Sequence, residues 1–420
     1  DAIDKKGTPM PLFSVIIPAY NNAEYLGKCL QSLQNQTFHD WEALIVVDGS
    51  PDNAADIATS VASQDQRFIP LIKKNNEGTH LARKTGVKHA SGNYALFLDA
   101  DDELKKNALQ ELKIAIQASA PDIDVIHFGM ELFGIDMPKD VCNGMLEQSN
   151  AQLPDAHNEE IIQSTFAERK QDWRVLQRLY SSDLLKNAFA NMTDSRLGRG
   201  QDAYEWLVIS SSAKHETFRN DLILYRYYLG RGITNVQPIS GEKWLKNAKA
   251  FNDGIQAGYQ YANSFKSFDM KIYVDDLKNH QLELLMNDWH IRVNNAEKIS
   301  GALKSAELFG EDAIAAELMR LARDDAYYLW DHQLPFSEHE PFIQWIRCAQ
   351  QLVNNENPSE RYRSFSEATL NHLNDLRNRE KQSPHINTLL QKVKQIFINI
   401  TLPFFYFSYA TKKKLNVQKS

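Results

Sequence analysis

The sequence predicts an α/β protein: an open sheet with parallel crossovers, flanked by helices and followed by a mainly α-helical C-terminal domain. Three observations predict it. Up to about residue 130, short apolar, β-branched runs alternate with segments whose leucines recur at helical spacing. Those runs are apolar at successive positions rather than at every second one, as strands buried on both faces are. Beyond about residue 240, glycine and proline become sparse and long helix-type segments such as "YVDDLKNHQLELLMNDWHIRV" take over.

Taken in order, "FSVII" (13–17) is the first strand, and Leu26, Leu30 and Leu33 stripe the helix after it. "ALIVV" (43–47) is the second, with Ser50 offered as an N-cap and Pro51 as the first helical residue. "FIPLI" (68–72) is the third, weakened by Pro70, and Thr79 can cap a helix running to about Ala90. "YALFL" (94–98) is the fourth, followed by a helix striped by Leu109, Leu112 and Ile116, and "DVIHF" (124–128) a fifth. Residues 131–160 read as loop-rich, 161–190 as helical, and "LILYRYY" (222–228) as another strand. The domain reading is an α/β domain over 11–240, in halves 11–130 and 131–240, then a helical domain over 241–395.

Composition narrows the partners. With 420 residues, 43% hydrophobic and 24% charged, the chain can build two domains without staples. Its three cysteines, Cys29, Cys142 and Cys348, are too few and too scattered for a disulfide framework or zinc cluster, and fit a reducing cytosol. A net charge of −7 gives no general attraction to nucleic acid, so an acidic substrate needs a local basic pocket or a bound cation. Residues 1–10 read as a linker or cloning remnant without the apolar stretch of a signal peptide. The tail "IFINITLPFFYFSYATKKK" (396–414) sets aromatic residues beside Lys412, Lys413 and Lys414. That pattern suits peripheral contact with an anionic membrane at its inner face, or a helix docked on the core.

Ligands of an open α/β sheet bind beyond the carboxyl ends of its strands. The segments placed there are "PAYNN" (18–22), "DGSPD" (48–52), "KKNNEG" (73–78) and "DADD" (99–102). They bring an aromatic ring, carboxylates and bases but no glycine-rich phosphate loop, since "GTHLARKTG" is neither a Walker sequence nor a Rossmann fingerprint. Crowded carboxylates repel unless something positive sits among them. Mg²⁺ or Mn²⁺ arriving with a nucleotide diphosphate would relieve Asp99, Asp101 and Asp102, because such hard cations take one or two carboxylates plus substrate phosphates. Asp102 also reads, in part, as a cap for the following helix.

With these motifs in order, "FSVIIPAYNNAEYLGKCLQSLQNQTFHDWEALIVVDGSPDNA" and "NEGTHLARKTGVKHASGNYALFLDADDEL" resemble the nucleotide-sugar-binding half of the family 2 glycosyltransferases, which adopt the GT-A fold. A weaker resemblance continues through "LQRLYSSDLL", "GQDAYEW" and "YRYYLGRGITN". The resemblance implies that Pro18, Ala19 and Tyr20 line the base, with Tyr20 beside a uracil ring, and that Asp48 accepts from the base N–H. It implies further that Arg83 lies over the nucleotide, that Asp99 touches ribose, and that Asp101 holds the metal, with Ala100 between them in the donor site. One departure is Val47, where the family usually has a second acid before Asp48; this weakens the uridine assignment relative to that of a nucleotide diphosphate. Glu24 is either functional, as the resemblance suggests, or half of a capping-box pair with Asn21.

Sugar transfer with inversion needs a base for the acceptor hydroxyl. The family places it in a Glu-Asp pair; here the pair is Gln201-Asp202, so Asp202 is assigned as base with Glu205 in reserve. Asp202 alternatively caps the helix of "AYEWLVI". Among Arg196, Arg199, Arg226 and Arg231, the last is assigned to the diphosphate, since its flanking glycines permit close approach. The expectation is an inverting, metal-dependent transferase moving a sugar from a UDP-sugar to a glycan or lipid-linked glycan in bacterial surface polysaccharide synthesis, with oligomerisation left open. The rivals are an inactive sugar-nucleotide-binding scaffold and a nucleotidyltransferase.

Overall fold

The computed structural model describes residues 10–231, 237–353 and 357–382. The 1–9 stretch and the 396–414 tail lie outside the described residues. By their contacts the described residues fall into two units, one within Asp1–Asn235 and Asp253–Lys278, the other within Val236–Asn252 and Asn279–Ser420.

The first unit opens with β1 (Phe13–Ala19), α1 (Ala23–Gln34), β2 (Trp41–Asp48), α2 (Ala54–Gln64), β3 (Phe68–Lys73), α3 (Thr79–His89) and β4 (Tyr94–Phe97). β1 runs parallel to both β2 and β4, and β3 continues the parallel set beyond β2. The burial explains the apolar runs: Val15, Ile16 and Ile17 of β1 and Ala43 to Val46 of β2 have no exposed surface. α1 turns Leu26, Cys29, Leu30 and Leu33 inward. α3 lies so close to β1 that a Cβ at Gly86 would stand 2.4 Å from the Ile16 Cγ2, which is why a glycine occupies the middle of that helix.

The chain continues through β5 (Glu103–Leu104), α4 (Ala108–Ala118), β6 (Val125–Gly134), α5 (Lys139–Ser149), β7 (Ala156–His157), α6 (Glu159–Phe166), β8 (Arg178–Ser181), α7 (Ser182–Asn191), α8 (Gln201–Ser212) and β9 (His215–Leu229). All nine strands join one sheet in the order β3-β2-β1-β4-β8-β6-β9-β5, with β7 pairing β9. β8 is antiparallel to both β4 and β6, which makes the sheet mixed.

Several local expectations are corrected. The stretch read as helical over 161–190 is interrupted by β8, and Arg169 and Gln177 take positive φ of 53° and 61° that break any helix there. The stretch read as loop carries the end of β6 and all of α5. Neither Ser50 nor Pro51 begins a helix, since α2 starts at Ala54 after Asn53. Ser50 instead accepts the Asn21 N–H at 2.7 Å and donates to Asp52 at 2.6 Å. Thr79 is the first residue of α3, capped by Gly78. The N-cap of α1 is Asn22, without a side-chain cap bond, so the Asn21–Glu24 capping box does not form.

The remaining helices are α9 (Gly241–Ser264), α10 (Met270–Arg292), α11 (Asn295–Phe309), α12 (Glu311–Asp331), α13 (Pro341–Leu352) and α14 (Glu360–Gln382). Within the second unit, the buried indoles of Trp244 and Trp289 donate to the carbonyls of Leu285 and Lys298, each at 2.9 Å. The Thr369 hydroxyl of α14 donates to the Met319 carbonyl of α12 at 2.8 Å, and the buried Glu317 pairs with Arg320 and Arg361. No helix among the described residues is long and apolar enough to cross a membrane.

Candidate active site

The loops leaving β1 to β4 are tied to one another by their own polar groups. Asp52 accepts the Ala23 N–H at 2.8 Å and so joins the segments after β1 and β2. Asp48, at the end of β2, is buried; its Oδ2 accepts the Glu77 and Gly78 N–H groups at 3.0 and 2.7 Å, and its Oδ1 lies 2.9 Å from the Lys73 Nζ. The residue expected to read a base is thus engaged with the loop after β3. Gly49 makes that approach feasible: it holds φ +61°, and a Cβ there would stand 2.3 Å from the Asn75 carbonyl carbon. Tyr20 is 46% exposed at the end of β1, with Pro18 and Ala19 within the strand.

After β4 the three aspartates separate by environment. Their carboxylate oxygens lie within 4.8 Å of one another, a spacing that can hold a metal ion. Asp102 is buried with both oxygens used: Oδ2 accepts the Tyr225 hydroxyl and Oδ1 the Tyr228 N–H, each at 2.8 Å. It caps no helix, because β5 follows at once and α4 begins only at Ala108. Tyr225 also accepts the Asp99 N–H at 3.2 Å, so β9 fixes the loop at two points. Ala100 is buried between Asp99 and Asp101. No other described residue donates to the Asp101 carboxylate, while its carbonyl accepts from Arg231 at 2.9 Å.

The crowding shows in the acidities. Burial, opposed by Arg83 and reinforced by Asp101 and Asp202, pushes the Asp99 carboxyl up to about 6. Burial raises Asp101 too, and burial together with Asp101 and Asp99 raises Asp102 well above the usual range. A cation among them would remove that repulsion, and Asp101 is the carboxylate left to hold it. The Arg231 guanidinium carbon lies 4.7 Å from the Tyr25 ring centroid and 3.6 Å from that of Tyr228.

Arg83 does not lie open to a ligand. Its guanidinium is 1% exposed, and it joins the loop after β4 to α8. NH1 donates to Asp202 Oδ1 at 2.5 Å and to Glu205 Oε2 at 2.8 Å, and NH2 to Asp99 Oδ1 at 3.2 Å. Asp202 stands in the first turn of α8, whose N-cap is Gly200, so it is not the cap; its side chain is 25% exposed. Glu205 has no exposed surface, and its other oxygen lies 2.9 Å from the His80 Nδ1, which removes it from an acceptor's reach. Burial alone would raise the Glu205 carboxyl, but Arg83 and His80 outweigh it and hold it below its usual range.

The strand-end edge thus carries an Asp-x-Asp loop, with a carboxylate from a later helix beside it. Residues 14–134 match the model of "Glycosyl transferase family 2". This segment is a family 2 glycosyltransferase domain. The chain is 32% identical over 186 residues to the uncharacterized glycosyltransferase EpsJ of Bacillus subtilis, covering 43% of this chain and 50% of that protein. It is 28% identical over 223 residues to the poly(ribitol-phosphate) beta-N-acetylglucosaminyltransferase TarP of Staphylococcus aureus, covering 52% of this chain and 63% of TarP. The chain spans half or less of the length of the first curated relatives it matches. Residues 1–349 of S. aureus TarS superpose with a TM-score of 0.53 at 17% identity, over 86% of this chain and 91% of that one. That likeness places the glycosyltransferase domain in the GT-A fold expected for it.

The sequence singled out Arg83, Asp99, Asp101, Asp202 and Arg231, and the structure brings the first, second and fourth into direct contact. It missed His80, Tyr25, Tyr225 and Tyr228. His80 lies three residues before Arg83, on one face of α3, a spacing that would have paired them. Tyr225 and Tyr228 act from β9 and Tyr25 from α1 on partners distant in sequence, and they left no local signal.

Proposed function

We propose that the chain is an inverting, metal-dependent glycosyltransferase that moves a sugar, a hexose or N-acetylhexosamine, from a UDP-sugar to a hydroxyl of a glycan or lipid-linked glycan in bacterial surface polysaccharide synthesis. The observation that carries this reading is the Arg83 fork, which sets the acid of α8 beside the acids that follow β4. Asp202 is the base: its partly exposed carboxylate takes the acceptor proton as the hydroxyl attacks the anomeric carbon from the face opposite the diphosphate. Asp99 faces the ribose and Asp101 holds a divalent cation. When bound, Mn²⁺ or Mg²⁺ supplies charge neutralisation for the departing diphosphate. Arg231 adds a cation near the same loop, packed against two tyrosine rings. Tyr20, with Pro18 and Ala19, lines the base, and Asp48 holds the loop after β3 beside them.

TarP's name, a β-N-acetylglucosaminyltransferase acting on a poly(ribitol-phosphate), supports an N-acetylhexosamine donor and a polyhydroxyl acceptor. The test is a screen of UDP, GDP and dTDP sugars for release of the nucleoside diphosphate, with Mn²⁺ and with EDTA. Release from a UDP-sugar that EDTA abolishes is the expected result. Binding without release from any donor would turn the reading to a sugar-nucleotide-binding scaffold.

A further inference from the structure

Arg83 and its partners govern how the base is held, an inference that rests on Asp202 being that base. One guanidinium binds three carboxylates: Asp202 and Glu205 through NH1, Asp99 through NH2. The guanidinium is 1% exposed, whereas Asp202 and Asp99 are 25% and 31% exposed on their side chains. Substrates therefore reach the two outer acids but not the cation between them. Glu205 is closed from behind, with Oε2 on Arg83 and Oε1 facing the His80 Nδ1, while the His80 Nε2 lies 3.0 Å from the Thr193 carbonyl. Both ring nitrogens face acceptor oxygens.

We propose that His80, Glu205 and Arg83 are a buried positioning relay for Asp202, and that Arg83 is not a nucleotide contact. Glu205 anchors the guanidinium, His80 anchors Glu205, and the fork occupies Asp202 Oδ1 so that Oδ2 is the oxygen presented to the acceptor. The same fork grips Asp99, which ties the base to the donor loop across the sheet. A guanidinium suits this task because its planar donors hold three directions at once, which an ammonium on a flexible stem does not. The relay predicts loss of turnover without loss of donor binding, since a small misplacement of a reacting group costs rate and leaves binding contacts intact.

The test compares wild type, Glu205→Gln, Arg83→Lys, His80→Gln and Asp202→Asn for turnover of the donor found by the screen, for UDP–Mn²⁺ affinity, and for thermal unfolding. Glu205→Gln and Arg83→Lys are expected to lower kcat about tenfold to a hundredfold per folded molecule, with donor KM and UDP affinity within about threefold. Arg83→Lys weakening UDP at least about tenfold with kcat unchanged would make Arg83 a nucleotide contact and overturn the relay. Glu205→Gln lowering the melting temperature with full kcat would make the cluster structural and overturn it too. If Glu205→Gln does not fold, Arg83→Lys and His80→Gln decide by the same split. An inactive Asp202→Asn beside a fully active Glu205→Gln sinks the relay alone. An active Asp202→Asn, or a wild type that turns over no donor, sinks the proposed function and the relay with it.

Discussion

Asp101 and Asp102 are neighbours with opposite fates. Asp102 has both oxygens bonded to β9, while the Asp101 carboxylate takes no hydrogen bond from another described residue. Asp101→Asn should therefore weaken UDP binding in Mn²⁺ by at least about tenfold and leave the residual binding insensitive to EDTA, read by calorimetry. Asp102→Ala should act on stability, costing about 2 to 4 kcal/mol in chemical denaturation, because the Tyr225 hydroxyl and the Tyr228 N–H lose their acceptor in a buried place. The raised pKa values make a pH prediction. Asp99 has a folded value of about 6, above its unfolded one, so its proton-linked stability is complete at low pH and is lost as pH rises through about 6. A cation must displace those protons, so the rise in melting temperature caused by Mn²⁺ should be larger above that pH than below it.

At the scale of elements, the loops are held by backbone approaches that only particular residues allow. Gly49→Ala would drive a Cβ into the backbone of Asn75 and Asn76, atoms that cannot swing aside, at a φ of +61°. It should cost at least about 2 kcal/mol and weaken UDP binding, seen by thermal unfolding and calorimetry together. This scale also explains what the sequence made legible. β1 to β4 and their loops were readable because each is a local apolar run ended by turn chemistry, and their parallel order follows from the alternation with helices. β8 was not, because "RLYS" owes its extended form to β4 and β6 on either side, partners distant in sequence. Asp102 was misread for the same reason: a helix cap is a local pattern, and a bond to Tyr228 across 126 residues is not. The Arg83–Asp202 contact spans 119 residues, so the motifs named both residues without showing that they meet.

At the scale of the molecule, a net charge of −7 gives an anion no general attraction, so the proposed donor depends on local charge, supplied in this reading by the proposed cation and Arg231. The family match covers 14–134, which takes in all but the first residue of β1, then β2 to β4 and the Asp-x-Asp loop, but not Asp202. The proposed donor residues Pro18 to Asp101 therefore lie within the matched segment, whereas the proposed base lies outside it, supported by the weaker resemblance at "GQDAYEW" and by its contact with Arg83. The decisive measurement is on that base: UDP–Mn²⁺ affinity and nucleoside diphosphate release from the donor, measured side by side for wild type and Asp202→Asn. The expected result is unchanged affinity with release reduced about a hundredfold to ten-thousandfold, as loss of a general base gives. Release at the wild-type rate by Asp202→Asn would contradict the assignment of Asp202 as base.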